Sequence, residues 1–293
     1  MSRSEAANII YDPPMEHIRQ TLVHLLEATP NGCPVSEVIA ALARRHALSR
    51  ASTHQILRRL VMEDVIEYRH HCGQTCMALS FHGARRVATR FIILPPGVNG
   101  SCMPPGDLLP LVIDDGAAFG DGRHPTTRLA LCGIEELLGG IWLEGKPPGA
   151  KCLDIGTGSG ILAIAAVRLG AASVVALDVD PCAVAAARHN AALNGISSQC
   201  AVVQKKLDLI EEDFDVVLAN LRPPTLVQMA PWVGRHLRTG GSAILSGFRP
   251  EEAASVAAAF AANGIPRCWQ AEDAGWSALA MRKPPLVNET FLV

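Results

Sequence analysis

Aromatic side chains are scarce in this sequence: Phe, Tyr and Trp make up 4% of its 293 residues. A stacking platform for nucleic-acid bases needs several such rings, so that class of surface is disfavoured. An excess of one charge is missing too. The 26 Lys and Arg against 28 Asp and Glu leave a formal charge of −2, which excludes a uniformly basic nucleic-acid coat and an acidic disordered tail. No uncharged apolar run approaches the roughly 20 residues needed to span a bilayer, and polar Ser2, Arg3 and Ser4 follow Met1 where a signal peptide would begin its apolar core. The nine cysteines are odd in number and thinly spread, unlike the dense framework of a small secreted domain. A reduced cytoplasm is the expected compartment, with no membrane partner.

What is present is apolar bulk, 49% of the residues, over a length that at roughly 100 to 200 residues per domain suggests two domains. The charge balance conceals an asymmetry. Residues 1–90 hold 11 Arg, no Lys, 8 acids and 7 of the 10 His, whereas the remainder holds 15 basic and 20 acidic groups. The front part is mildly basic and its histidines are placed to respond to pH.

Between residues 15 and 79 helix periodicity occurs three times and is followed by two short extended runs. Ile18, Leu22, Leu25 and Leu26 form the first stripe, and Val38, Ile39, Leu42 and Ala43 the second, after Pro34 and Ser36. Ser49 or Ser52 is the predicted cap of a third helix carrying Ile56, Leu57, Leu60 and Val61, with strands at 65–69 and 76–79 around Gly73. Three helices and a hairpin in about 65 residues resemble a winged helix-turn-helix. Its third helix, 49–62, would expose Arg50, Ser52, Thr53, Gln55, Arg58 and Arg59, residue types that contact phosphates and base edges. The small basic excess is a weak footprint for DNA, so docking of a protein or homodimerisation is the preferred reading. His70, His71, Cys72, Cys76 and His82 invite a zinc reading, but strand alternation would scatter such ligands to opposite faces, and no metal is expected.

Eight Pro and Gly within 95–110 can sustain neither a helix nor a central strand, which places a linker there between domains at 1–94 and 111–293. From Lys151 the pattern alternates strand and helix, as a parallel sheet covered on both faces requires. Strands are predicted at 150–155, 173–178, 200–204, 214–220, 242–246, 267–270 and 277–282, and helices at 161–169, 181–193, 225–237 and 251–262. The fold class is therefore α/β, and ligands of such sheets lie at the carboxyl ends of the strands.

The first of these strands runs into Asp154-Ile155-Gly156-Thr157-Gly158-Ser159-Gly160. Glycine at every second position permits a tight turn and close backbone approach, but it departs from the G-x-G-x-x-G fingerprint of a pyrophosphate cradle. Asp178, 22 residues beyond Gly156 and at the end of the second strand, has the position and acceptor chemistry to hold both hydroxyls of a ribose.

Upstream stands Phe119-Gly120-Asp121-Gly122-Arg123-His124-Pro125-Thr126-Thr127, followed by helical Leu129, Leu131, Ile134 and Leu137. D-x-G-x-G-x-G resembles motif I of class I S-adenosylmethionine methyltransferases. The ordered set F-G-x-G-x-H-P-T-T, L-D-I-G-T-G-S-G-I-L-A-I-A-A, A-L-D-V-D-P-x-A-V, V-V-L-A-N-L and T-G-G-S-A-I-L-S-G resembles the PrmA-type methyltransferases, which methylate amines of a large-subunit ribosomal protein. The similarity covers about 113–283. It implies a Rossmann-like methyltransferase sheet, S-adenosyl-L-methionine as cofactor, and N-methylation of a protein lysine. It also implies cofactor contacts at Phe119, Gly120, His124, Thr127, Asp154, Gly156, Gly158, Gly160, Asp178 and Asn220, with Asn220 as the catalytic residue beside the transferred methyl. His124 is read as orienting its loop, and Trp276 as a core residue.

Three departures from that family stand out. Asp121 and Arg123 occupy loop positions where small or hydroxyl residues are usual, which would add charge beside the pocket. The fourth strand ends in Asn220-Leu221-Arg222-Pro223-Pro224, not the N-P-P-[YF] of base and glutamine methylases. The front domain differs from the ferredoxin-like one that presents the ribosomal substrate, so the ribosomal target does not carry over. Two other readings stay open: a small-molecule methyltransferase with a winged-helix dimerisation domain, and a DNA-binding regulator that uses S-adenosylmethionine as a signal.

Overall fold

The structure is a computed structural model describing residues 15–27, 29, 32–63, 65–71, 74–80, 84–97, 107–114, 116, 118–138 and 149–285. The chain divides into two compact units, Met1–Gly83 and Ala84–Val293.

In the first unit the elements follow the order α1 (Met15–Glu27), β1 (Cys33–Pro34), α2 (Val35–His46), α3 (Arg50–Met62), β2 (Ile66–His71) and β3 (Gln74–Leu79). The strands form an antiparallel sheet in the order β1-β3-β2. Ser49 caps α3, its side chain accepting from the Ser52 N–H at 3.0 Å. The apolar stripes converge on one core that contains Ile18, Leu22, Leu42, Leu57, Leu60 and Met77. Thr53 departs from its expected exposure. It is fully buried and its hydroxyl donates to Ser49 O at 2.9 Å, because position 53 shares the inward stripe with Leu57 and Leu60. Arg59 is held by Glu63 at 2.7 Å. Of the suspected zinc ligands, Cys72 and His82 lie outside the described residues, Cys76 is buried, and His70 is exposed beside Thr75.

The second unit opens with β4 (Arg85–Arg86), β5 (Phe91–Leu94) and β6 (Leu109–Val112), a small sheet in which β5 and β6 run parallel. This corrects the expected domain boundary. Phe91, Ile93, Leu111 and Ile113 are buried in the same core as the helices that follow, so 84–94 belongs to the second unit, and the Pro/Gly run connects two paired strands, its last residue Pro110 lying within β6 opposite Ile92. Extended apolar residues need a partner strand, and here the partner is on the far side of that run.

The remaining elements are α4 (Pro125–Glu136), β7 (Lys151–Ile155), α5 (Ile161–Arg168), β8 (Ser173–Asp178), α6 (Pro181–Leu193), β9 (Cys200–Gln204), β10 (Phe214–Asn220), α7 (Pro223–His236), β11 (Leu237–Phe248), α8 (Ala253–Ala261), β12 (Arg267–Asp273) and β13 (Trp276–Arg282). The strands join in one sheet, β12-β13-β11-β10-β7-β8-β9, with β13 antiparallel to both of its neighbours. Alternate residues serve opposite faces: Val216 and Leu218 join the core under α4, α5 and α6, and Val217 and Ala219 join the core under α7 and α8. The order reverses between β7 and β10, which opens a crevice at their carboxyl ends.

Replacing Phe91 with Ala should lower the stability of the second unit by about 3 to 5 kcal/mol, the usual cost of emptying a buried aromatic site. Urea unfolding checks this, and a change near zero would return residues 84–94 to a linker.

Candidate active site

The turn after β7 is built from below. Asp154 is buried, and one carboxylate oxygen accepts from Thr157 Oγ1 at 2.6 Å and from the Ala163 N–H at 3.2 Å, closing the turn onto the start of α5. Burial pushes its pKa up to about 7, against the lowering effect of those two hydrogen bonds and with a further rise from the nearby Asp178 charge. Above the carboxylate, Gly158 has φ of +55° and a Cβ on it would lie 2.3 Å from Phe119 O. Only glycine fits both the dihedral and the approach.

This turn holds its neighbours in place. The Gly158 N–H donates to Asp178 Oδ2 at 3.1 Å and the Asp180 N–H to Asp178 Oδ1 at 3.0 Å. The Ser159 N–H donates to Phe119 O at 2.8 Å and Ser159 Oγ to Gly120 O at 2.6 Å, fastening the 119–120 segment against the glycine turn. From α6, Asn190 Nδ2 donates to Ser159 O at 2.9 Å. The small sheet supports the same loop, since Arg85 Nη2 donates to Asp121 O at 2.5 Å.

His124 is the N-cap of α4. Its Nδ1 accepts from the Thr126 N–H at 3.3 Å, with Thr126 Oγ1 2.8 Å from the same atom. Burial, then the Arg128 and Arg249 charges, lower its pKa, while Asp121 opposes them, so near neutral pH the ring is uncharged and carries its proton on Nε2. Its lone pair is committed to the cap, consistent with an orienting role. The ring lies 5.5 Å from Phe119 and meets Trp276 edge-on at 4.7 Å, and the Arg249 guanidinium sits 4.0 Å from the Trp276 ring centre. Within the first turn of α4, Thr127 is buried and its Oγ1 accepts from Asn220 Nδ2 at 3.4 Å, bringing α4 and the end of β10 together.

These groups surround a cleft of about 990 Å³ over the β7/β10 reversal. Phe119, Gly120, His124, Thr127, Gly156, Gly158, Asp178 and Asn220 line it, whereas Asp154 and Gly160 do not. Asp154 lies under the turn, and a Cβ on Gly160, at φ of +84°, would lie 3.3 Å from Ala187 of α6. Asp121 and Arg123 are also absent from the lining. They pair with each other at 3.0 Å, so the charge expected beside the pocket is spent within the loop. Trp276 lines the cleft instead of filling the core. Leu221 and Arg222, noted in the sequence as part of the departure from N-P-P-[YF], line it as well, and so does Asp208, which sequence reasoning did not single out. The signal available for Asp208 was an acid shortly after a sheet strand, the same logic that found Asp178.

The family model for ribosomal protein L11 methyltransferase (PrmA) matches residues 78–284. The chain belongs to the PrmA family. A ribosomal protein L11 methyltransferase of Geobacter sulfurreducens is 42% identical over 193 residues, covering 66% of this chain and 60% of its own length. That of Chloroflexus aurantiacus is 36% identical over 229 residues, covering 70% and 67%. The crystal structure of ribosomal protein L11 methylase from Lactobacillus delbrueckii subsp. bulgaricus superposes with a TM-score of 0.60 at 32% identity, covering 69% of this chain and 98% of that one. The chain spans about three fifths of the length of the first curated PrmA relatives it matches.

The residues present fit the family's cofactor, S-adenosylmethionine. Asp178 retains acceptor capacity toward the cleft for ribose hydroxyls, and a Cβ on Gly156 would meet Leu221 Cδ2 at 2.6 Å, narrowing the floor on which the cofactor would rest. Because Asp154 holds its proton more tightly folded than unfolded, stability should fall as pH rises from about 4 through about 7. Asp154→Asn should flatten that slope, measured by urea unfolding at pH 5 and pH 8. An unchanged slope would mean that Asp154 is ionised in the fold.

Proposed function

We propose that this chain transfers the methyl group of S-adenosylmethionine to a protein amine, with lysine as the acceptor. The observation that carries the proposal is the Asn220–Thr127 contact at the reversal of strand order, in the same cleft as the Asp178 carboxylate and the glycine turn. One end of the cleft suits a ribose and the other presents an amide and a hydroxyl where a nucleophile would enter.

Bound S-adenosylmethionine supplies an electrophilic methyl group, so the protein's main contribution is alignment, worth roughly 7 to 11 kcal/mol in a near-attack geometry. Asp178 would hold the ribose, Gly156 and Gly158 would give it close backbone contact, and Thr127 would face the methionyl carboxylate. Asn220 Oδ1 is free to accept from an incoming amine, because the side chain's hydrogen bond to Thr127 uses its Nδ2. A lysine amine, with an ordinary pKa of about 10.4, must lose a proton before it attacks, and an apolar wall of Phe119 and Trp276 favours the neutral form. His124, committed to its cap, is not assigned as the base.

The protein acceptor is supported by membership of the PrmA family, whose matched relatives are named for a ribosomal protein substrate. The family match begins at residue 78 and leaves most of the first unit outside it. We read that unit, with its three helices and three-stranded sheet, as a winged-helix-like docking or dimerisation module, and the compartment as the cytoplasm. Among the described residues no helix is long and apolar enough to cross a membrane.

Calorimetry with S-adenosylmethionine and S-adenosylhomocysteine should give binding in the micromolar range, and its absence would refute the proposal. Asn220→Ala should lower methyl transfer to the acceptor fraction of a lysate by roughly 100-fold or more, as misaligned reactants do, with S-adenosylhomocysteine still bound. Full transfer in that variant would remove Asn220 from catalysis, and transfer only to a protein-free extract would favour a metabolite acceptor.

A further inference from the structure

The charged groups of the cleft divide between its two sides. Asp178, Asp180, Lys205, Lys206 and Asp208 come from the ends of β8 and β9, toward the ribose. Beyond Asn220, on the side where an acceptor would enter, Arg222 is the one charged residue among the described lining residues, and it is exposed. It caps α7, whose first two residues, Pro223 and Pro224, have no N–H to offer an anion. Recognition of an anion there falls to the guanidinium.

A second arginine stands on the adjacent strand end. The Leu221 N–H donates to Ser246 O at 2.9 Å, and a Cβ on Gly247 would lie 2.4 Å from Leu221 O, so 221–222 and 247–249 run side by side. Arg249 is held over Trp276 at 4.0 Å, and its Nη1 donates to Gly275 O at 3.0 Å. Glu252 accepts from the Arg249 backbone N–H at 2.7 Å, and among the described residues no carboxylate pairs with the guanidinium. The other arginines at this end are consumed: Arg123 pairs with Asp121 at 3.0 Å and Arg128 with Asp273 at 2.7 Å. Two planar cations, each suited to bidentate capture of a carboxylate, therefore flank the acceptor side.

We propose that Arg222 and Arg249 form a cationic rim that selects protein segments carrying a carboxylate beside the reacting amine. The proposal rests on the protein-methylation reading and narrows it, since a lysine within a run of lysines would be repelled and one flanked by acids drawn in. As a rim interaction open to solvent, it acts mainly through KM, by about fivefold at low salt.

The test uses the full chain, S-adenosylmethionine and two synthetic peptides of equal length, each with one central target lysine, flanked by Glu in one and by Arg in the other. The Glu-flanked peptide is expected to be methylated with a KM about fivefold lower, a difference that disappears near 0.5 M NaCl, where screening acts within a few Å. Arg222→Gln and Arg249→Gln should each narrow the difference between the two KM values, and the double variant should bring them together. Both substitutions are at exposed sites, so folding is retained. Equal use of the peptides by the wild-type protein, or preference for the Arg-flanked one, overturns the rim while leaving protein methylation intact. If neither peptide nor any protein fraction accepts a methyl group although S-adenosylhomocysteine binds, the acceptor reading itself fails and the rim fails with it.

Discussion

The buried Asp154 carboxylate under the glycine turn is the interaction on which the site depends. By accepting from Thr157 and Ala163 it draws the end of β7 and the start of α5 together in a left-handed path. Taking a carboxyl group out of water is costly, and the raised pKa records that cost, but the two donors it satisfies would otherwise be buried without a partner. The turn so formed has its amides and carbonyls in place for every neighbour. Gly158 reaches Asp178, Ser159 reaches the 119–120 segment, and Asn190 reaches back from α6.

That chain of contacts explains how a loop far upstream in sequence becomes one wall of the cleft. Phe119 and Gly120 are tied to the turn, His124 caps α4, and α4 delivers Thr127 to Asn220. The aromatic contacts run on through Trp276 to Arg249, so the wall is continuous from the glycine turn to the end of β11. Neutral His124 suits this position, because a charged ring would lose its cap lone pair and sit near two arginines.

Much of the second unit is legible in the sequence. β8, β9, β10 and α6 occupy the residues expected of them, and the other strands and helices of the large sheet differ from expectation mainly at their ends. The exception is β11, which extends to both sides of 242–246 because β10 and β13 each offer it a long edge. Period-two and period-3.6 patterns are strong there, since both faces of the sheet are covered. Eight of the ten candidate cofactor contacts line one cleft, since motifs at strand ends are brought together by the sheet itself.

What the sequence determined by itself was local: which segments extend or coil, and that alternating glycines must follow a strand that ends beside an acid. What the tertiary structure decided was partnership. Residues 84–94 joined the second unit because β5 found β6 across the Pro/Gly run. Thr53 turned inward, Asp154 went beneath the turn, and Trp276 came to the cleft under Arg249. Each depends on a residue distant in the chain or on the face a side chain takes once the core closes, and no local pattern encodes such a partner.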